Sequence, residues 1–181
     1  MASYKYDTRD IYTDPTKGER FTLQLVPKLG WDGTASLINL KITYKKYAGF
    51  TKIVLDPVFS FKSQLLLKYS KDLPVFENEY LGGAGFVRGY SPIVQGNPGE
   101  VQNRIEGIHI IYQNIQLQHT LIERRDYWGL EFGMDMVYFA DTGISSKSLS
   151  SFRIANQIIG YGLGIRLFLS GAGVISIDLG Y

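Results

Sequence analysis

Three groups of side chains in this sequence could carry catalytic or metal chemistry. Glu131 and Asp135 share one face of an alternating segment, as a paired general acid and base would. His109 and His119 lie ten residues apart on a candidate strand, too far along it to share a metal ion. The run Ser145–Ser148 resembles an acylating Ser-x-x-Lys motif only superficially, since the companion motifs are missing. None of these groups adjoins a catalytic partner, so we expect no enzyme and interpret the acids as part of a solvated wall.

The composition excludes several classes of protein. The 181 residues include no cysteine and only 2 histidines, which removes disulfide scaffolds and thiolate metal sites. The formal charge of +2 is too balanced to indicate a nucleic-acid partner. The Gly-x-Gly-x-Gly run at Gly160–Gly164 lies within a predicted strand instead of opening a helix, so it is not a nucleotide fingerprint. We therefore expect neither a cofactor nor a metal ion.

The elements that would hold these side chains are β-strands. Two-residue alternation is clearest over Tyr127–Asp141, where one face is wholly apolar and the other carries Glu131, Asp135 and Asp141. In Ile159–Leu169 glycine lines the second face. About eight strands are predicted in all, the others being Ser3–Thr8, Phe21–Leu25, Ile38–Lys45, Lys52–Tyr69, Ile105–Leu121 and Ile175–Tyr181.

The apolar parity changes within one predicted strand. Ile108, Ile110 and Tyr112 follow one parity, whereas Ile115 and Leu117 follow the other. This change predicts a bulge or a displaced strand boundary near these residues.

The alternation fits two kinds of all-β protein. A soluble β-sandwich alternates in the same way as a membrane β-barrel. The polar faces here hold small and charged residues, and aromatic residues gather at strand ends such as Tyr44, Tyr69 and Tyr127. Those features are typical of a barrel with a lipid face, a polar lumen and aromatic girdles. The pattern alone leaves both classes open.

Four motifs in a fixed order distinguish the two classes. Leu81–Tyr90 reads Leu-Gly-Gly…Val-Arg-Gly-Tyr, and Phe139–Gly143 reads Phe-x-Asp-x-Gly. Thr-Arg-Asp…Pro-Thr-Lys-Gly occupies Thr8–Gly18, and two glycine-containing strands close the chain over Gly160–Tyr181. Together they resemble the BamA and TamA type family of outer-membrane assembly barrels over essentially the whole chain.

The resemblance implies an antiparallel transmembrane β-barrel in which residues 1–181 form one domain. About eight strands would make the C-terminal half of a barrel of about sixteen. A signature loop at about residues 73–103 would fold into the barrel, where Arg88 would contact Asp141. Alternation independently places Asp141 on the lumenal face. The residues expected to shape this contact are Gly82, Gly83, Val87, Gly89, Tyr90, Phe139 and Gly143.

The resemblance also implies a function and partners. The family inserts and assembles outer-membrane proteins without enzymatic chemistry, so the expected partners are the lipid bilayer and client outer-membrane proteins. Periplasmic modules or accessory lipoproteins would act through a region before residue 1. The expected location is the outer membrane of a Gram-negative-type bacterium, and residues 1–7 lack the apolar core of a signal peptide, as in a fragment. The alternatives are a two-partner secretion pore, the anchor of a patatin-like passenger, and a soluble β-sandwich binding protein.

Overall fold

A computed structural model describes residues 1–30, 36–50, 55–70, 77–90, 105–127, 129–171 and 173–181. Eight strands form one antiparallel sheet, each pairing with its neighbour along the chain. They are β1 (Ala2–Asp7), β2 (Lys17–Lys28), β3 (Leu37–Gly49), β4 (Val58–Ser70), β7 (His109–Tyr127), β8 (Leu130–Ser146), β9 (Ile158–Leu169) and β10 (Gly173–Gly180). Two further strands, β5 (Glu79–Tyr80) and β6 (Glu106–Gly107), form a separate ribbon between β4 and β7. The predicted all-β antiparallel fold with about eight strands is confirmed.

The two faces of the sheet differ as the alternation predicts. Side chains of one parity point outwards and are apolar and exposed, as Tyr161, Ile177 and Leu179 show. Side chains of the other parity point inwards, and on β8 they include the buried Val137 and Asp141. Because side chains alternate along a strand, one sequence pattern produces an apolar outer face and a mixed inner face.

Several predicted strand boundaries require correction. Of the strand expected over Lys52–Tyr69, residues 52–54 lie outside the described residues. β4 begins only at Val58, because Leu55 and Asp56 adopt positive φ in a turn before it. The strand expected to begin at Tyr127 begins at Leu130, after a turn in which Gly129 has φ of +84°. Tyr127 itself ends β7.

Of the two alternatives expected near Ile108–Ile115, the bulge is wrong, whereas the strand boundary is displaced from Ile105 to His109. The pairing of β7 with β8 runs without interruption from His109 to Thr120, and its register shifts lie between Thr120 and Arg125. β7 does begin at His109, so Ile108 lies outside the strand. The parity changes because Ile110 and Tyr112 are apolar side chains on the inner face, where other residues bury them.

The sheet has two edges, formed by β1 and β10. Within the described part of the chain, neither edge pairs with a further strand, and no second large sheet packs on the first as a β-sandwich requires. Over the same residues, no helix has the length and apolar character needed to cross a membrane.

Candidate functional site

The loop between β4 and β7 packs on the inner face of the sheet. Of the signature loop predicted at about 73–103, the structure describes residues 77–90, and the remainder lies outside the described residues. Leu81 and Val87 are fully buried, and the Val87 N–H donates to the Leu81 carbonyl over 2.7 Å. Both side chains belong to a buried apolar cluster whose other members are Leu66, Ile105, Ile110, Tyr112 and Ile158. The inner face is therefore apolar where the loop covers it.

Glycines allow the loop to turn and to approach the sheet closely. Gly83 and Gly89 have φ of +92° and +95°, a region that side-chain-bearing residues rarely adopt. A Cβ on Gly89 would also lie 2.7 Å from the backbone carbon of Tyr181. On β8, a Cβ on Gly143 would lie 2.7 Å from the Leu81 side chain. These positions need glycine for two reasons, backbone conformation and space.

Arg88 and Asp141 are in direct contact. The Arg88 Nε donates to Asp141 Oδ2 over 2.7 Å and its Nη2 donates to Oδ1 over 3.1 Å, which is a bidentate pair. The backbone N–H of Arg88 also donates to Oδ2, over 3.1 Å. Both residues are buried, with 7% of Arg88 and 1% of Asp141 exposed. We call this contact the loop lock, because it fixes both the side chain and the backbone of the loop to β8.

Two β7 side chains complete the hydrogen bonding of Asp141. The Tyr112 hydroxyl donates to Oδ1 over 3.0 Å, and the Asn114 amide donates to the same oxygen over 2.5 Å. Asn114 is directly opposite Asp141 in the pairing of β7 with β8. A buried carboxylate needs such donors as well as its counter-charge to offset lost hydration. The inner face is therefore prepared for the charged form of Asp141.

A second acid holds the other side of the Arg88 guanidinium. Arg88 Nη1 donates to Asp178 Oδ2 on β10 over 3.0 Å, and Arg166 on β9 also pairs with Asp178. Sequence reasoning did not assign Asp178 or Arg166 to the site. The available signal was the inward parity that Asp178 shares with Gly180, within the closing-strand motif. One arginine thus connects the loop to β8 and β10.

Phe139 lies beneath the Arg88 guanidinium. The carbon of the guanidinium group lies 3.4 Å from the centroid of the buried Phe139 ring. A cation stacked on an aromatic face in a desolvated site contributes about 1–2 kcal/mol. The Phe-x-Asp-x-Gly motif therefore supplies a flat support for the cation and, two residues later, its carboxylate partner.

We expect Phe139→Leu to loosen the loop without releasing it. Losing about 1 kcal/mol of stacking should raise the rate of trypsin cleavage after Arg88 by about fivefold, measured by mass spectrometry of the protein in detergent. Tyr138→Leu is the matched control, because Tyr138 points outwards from the same strand. Equal cleavage rates in the wild type and Phe139→Leu would contradict a supporting role for the ring.

The remaining predicted residues occupy structural positions. Tyr90 is half-buried against the apolar cluster, and Gly82 forms a bridge with Val87. Asp135 is buried and accepts a hydrogen bond from Gln118, whereas Glu131 is exposed.

His109 and the serine-rich run also occupy structural positions. The ring of His109 accepts the Lys68 N–H over 3.3 Å, while Ser146 bonds the backbone of Ser148. No cluster of three or more potential metal ligands occurs in the part of the chain that the structure describes.

The turn between β1 and β2, residues 8–16, is held together by its own motif. Asp10 accepts hydrogen bonds from the Thr16 hydroxyl over 2.5 Å and from the backbone of Thr16 and Lys17. Partial desolvation raises the pKa of Asp10, but these hydrogen bonds outweigh it and lower the pKa to about 2. The Asp10 carboxylate therefore stays charged, and keeps these hydrogen bonds, until the pH falls towards that value. Asp14 ties the same turn to Gln118 and Arg124 of β7.

Comparisons with known proteins give one finding. A family model described as "Omp85 superfamily domain" matches residues 1–181. A search of curated proteins found no match.

Proposed function

The chain belongs to the Omp85 superfamily, an outer-membrane family, and from this premise we propose that the full-length protein inserts and assembles outer-membrane β-barrel proteins. The proposed activity is not enzymatic. It depends on a barrel wall in which a lipid face, a strand edge and a fixed internal loop are combined.

The observation that supports this proposal most directly is the loop lock. Arg88 binds Asp141 through two side-chain hydrogen bonds and one backbone hydrogen bond, and its third nitrogen binds Asp178. A rigid Arg fork held by two carboxylates fixes a position and an orientation, which a flexible lysine would not. The loop would thereby set the arrangement of β8, β9 and β10, the strands nearest one edge of the sheet.

Among the described strands β10 is unpaired on one side, and a strand edge on this side of the sheet is the proposed place of client contact. An edge strand presents backbone N–H and C=O groups that can pair with an incoming strand. Its outward side chains are apolar, with 58% of Ile177 and 70% of Leu179 exposed. A client strand added at this edge would satisfy its backbone in the sheet while its apolar side chains face lipid.

Lipid and periplasmic partners belong to the same proposal. The outward apolar side chains of the sheet would contact the bilayer, and the barrel would weaken the bilayer around it. Client outer-membrane proteins would be delivered by periplasmic modules or accessory lipoproteins attached before residue 1. We place the protein in the outer membrane of a Gram-negative-type bacterium.

Reconstitution tests the proposed activity. Liposomes containing the purified full-length protein should fold a urea-denatured client barrel at least about tenfold faster than liposomes containing an equal amount of an unrelated barrel, a barrier difference of about 1.4 kcal/mol. The measurement is the heat-modifiable gel mobility of the client. Equal folding rates would contradict the proposal, and transfer of a soluble passenger into the liposome without client folding would identify a secretion pore instead.

A further inference from the structure

Three cations lie side by side on the inner face of the sheet. In the register of the strands, Arg20 of β2 pairs with Lys45 of β3, and Lys45 pairs with Lys62 of β4. All three belong to the inward parity. Directly opposite residues on neighbouring strands have Cβ atoms about 5 Å apart, so the three charges form a continuous row. We call these residues the cationic row.

Among the described residues, neither lysine of the cationic row has a carboxylate directly opposite it, and Asp7 of β1, which is directly opposite Arg20, is paired with Arg9. None of its three members is within ion-pair distance of an acid there. Lys62 instead lies 4.7 Å from the centroid of the Tyr112 ring, and Arg20 bonds the Thr22 hydroxyl over 3.3 Å. Like charges directly opposite one another destabilise a sheet. Local interactions in a protein usually support its fold, and exceptions occur mainly at functional sites. The cationic row is such an exception.

A cavity opens in front of two members of the row. Its volume is about 420 Å³, within the range of small-ligand sites, and Lys45 and Lys62 line it. Three side-chain amides of β7 line the same cavity, those of Asn114, Gln116 and Gln118. The amide nitrogens of Asn114 and Gln118 already donate to Asp141, Asp135 and Asp14, so Gln116 is the amide placed to donate to a ligand.

The acids at the cavity are already paired with other cations. Asp178 binds Arg88 and Arg166, and Asp14 binds Arg124. The charges left without a partner on the described lining are therefore positive.

We propose that this cavity is a binding site for a small oxyanion of the phosphate class, held by Lys45 and Lys62. Arg20 adds positive charge from the adjacent strand. A phosphate oxyanion carries more than one negative charge and several acceptor oxygens, so it can accept from two ammonium groups and from the Gln116 amide at once. The loop tip contributes Ala84 and Arg88 to the lining of the site, and the β1–β2 turn contributes Asp14.

A small anion fits this site better than an acidic polypeptide does. The loop tip and the β1–β2 turn both contribute to the cavity lining, so an extended chain would have to displace one of them. Both are tied down, the first by the loop lock and the second by Asp14. A compact anion needs no such displacement.

Binding of inorganic phosphate to the purified full-length protein tests the proposal. Isothermal titration in detergent at low ionic strength should show saturable binding, weakened about tenfold in Lys45→Gln and in Lys62→Gln by the loss of one charge-assisted hydrogen bond. Lys46→Gln should bind as the wild type does, because Lys46 is exposed on the opposite face of β3. Binding should also weaken as the salt concentration rises.

A charge reversal separates binding from folding. Lys62→Glu places an acid opposite Lys45, so it should abolish phosphate binding while raising the denaturant concentration at which the barrel unfolds. Four results would overturn the proposal: no saturable binding, equal binding of chloride and phosphate, equal loss in Lys46→Gln, or unchanged binding in Lys62→Glu.

Discussion

Asp141→Ala in the full-length protein is expected to lower the rate of client assembly to about a tenth of the wild-type rate or less, and Arg88→Ala is expected to match it. Removing one partner of a buried ion pair costs about 3–5 kcal/mol, because the remaining charge is left without compensation. Asp141 is 1% exposed, and in Arg88→Ala it would keep the backbone N–H at position 88, Tyr112 and Asn114 as donors but would lose its counter-charge. The loop would then leave the inner face, or it would no longer hold β8, β9 and β10 in the arrangement seen in the structure.

The double variant distinguishes a shared interaction from two separate defects. Because both residues act through one contact, Arg88→Ala combined with Asp141→Ala should be little worse than either single change. Arg125→Ala is the matched control, since Arg125 is an exposed β7 residue whose partner Glu123 is exposed too. Client folding in liposomes measures the rates. Wild-type activity in both single variants would rule out a functional loop lock, and additive losses would indicate that the residues act separately.

Alternation predicted the strands because it is a local property. On β8 the inward and outward sets follow directly from the sequence between Leu130 and Asp141, and the structure keeps them. The same pattern could not distinguish a lipid face from the exposed face of a soluble sheet, since both put apolar residues on one side. Membership of an outer-membrane family settles the class of protein, whereas periodicity does not.

Residues covered by the loop were the least predictable part of the fold. Ile110 and Tyr112 are apolar on the inner face, so the apolar alternation of β7 breaks at a place where the strand itself is regular. The cause is tertiary, because Leu81 and Val87 arrive from another segment to bury them. The true register shifts, between Thr120 and Arg125, have no comparable pattern in the sequence.

The candidate site was predictable as a pair and not as a network. The family resemblance predicts the contact between Arg88 and Asp141, and the inward parity of Asp141 supports that prediction independently. Asp178 lies 90 residues from Arg88 in the chain, and its contribution depends on where β10 lies relative to the loop tip. Inward parity marks many residues, so it could not by itself select Asp178. Likewise, the sequence shows that glycine lines one face of β9 but does not show what lies against that face.

The β9 glycines lead to a prediction that changes no charge. A Cβ on Gly160 would lie 2.0 Å from the backbone oxygen of Arg88, a distance that requires the loop to move. Gly160→Val favours the strand conformation, yet it should displace the loop and lower client assembly about as much as Asp141→Ala does. Gly85→Ala is the matched control, since a Cβ there meets no atom within 4 Å.

Trypsin cleavage after Arg88 provides a direct measure of that displacement. In the wild type Arg88 is 7% exposed and both its guanidinium and its backbone N–H are bonded, so the Arg88–Gly89 bond should resist the protease. In Gly160→Val the same bond should be cut as rapidly as in Asp141→Ala, while Gly85→Ala stays protected. A Gly160→Val protein that stays protected and active would show that the loop does not need this position on β9. Cleavage with full activity would separate loop placement from client assembly, and the proposed role of the loop lock would fail.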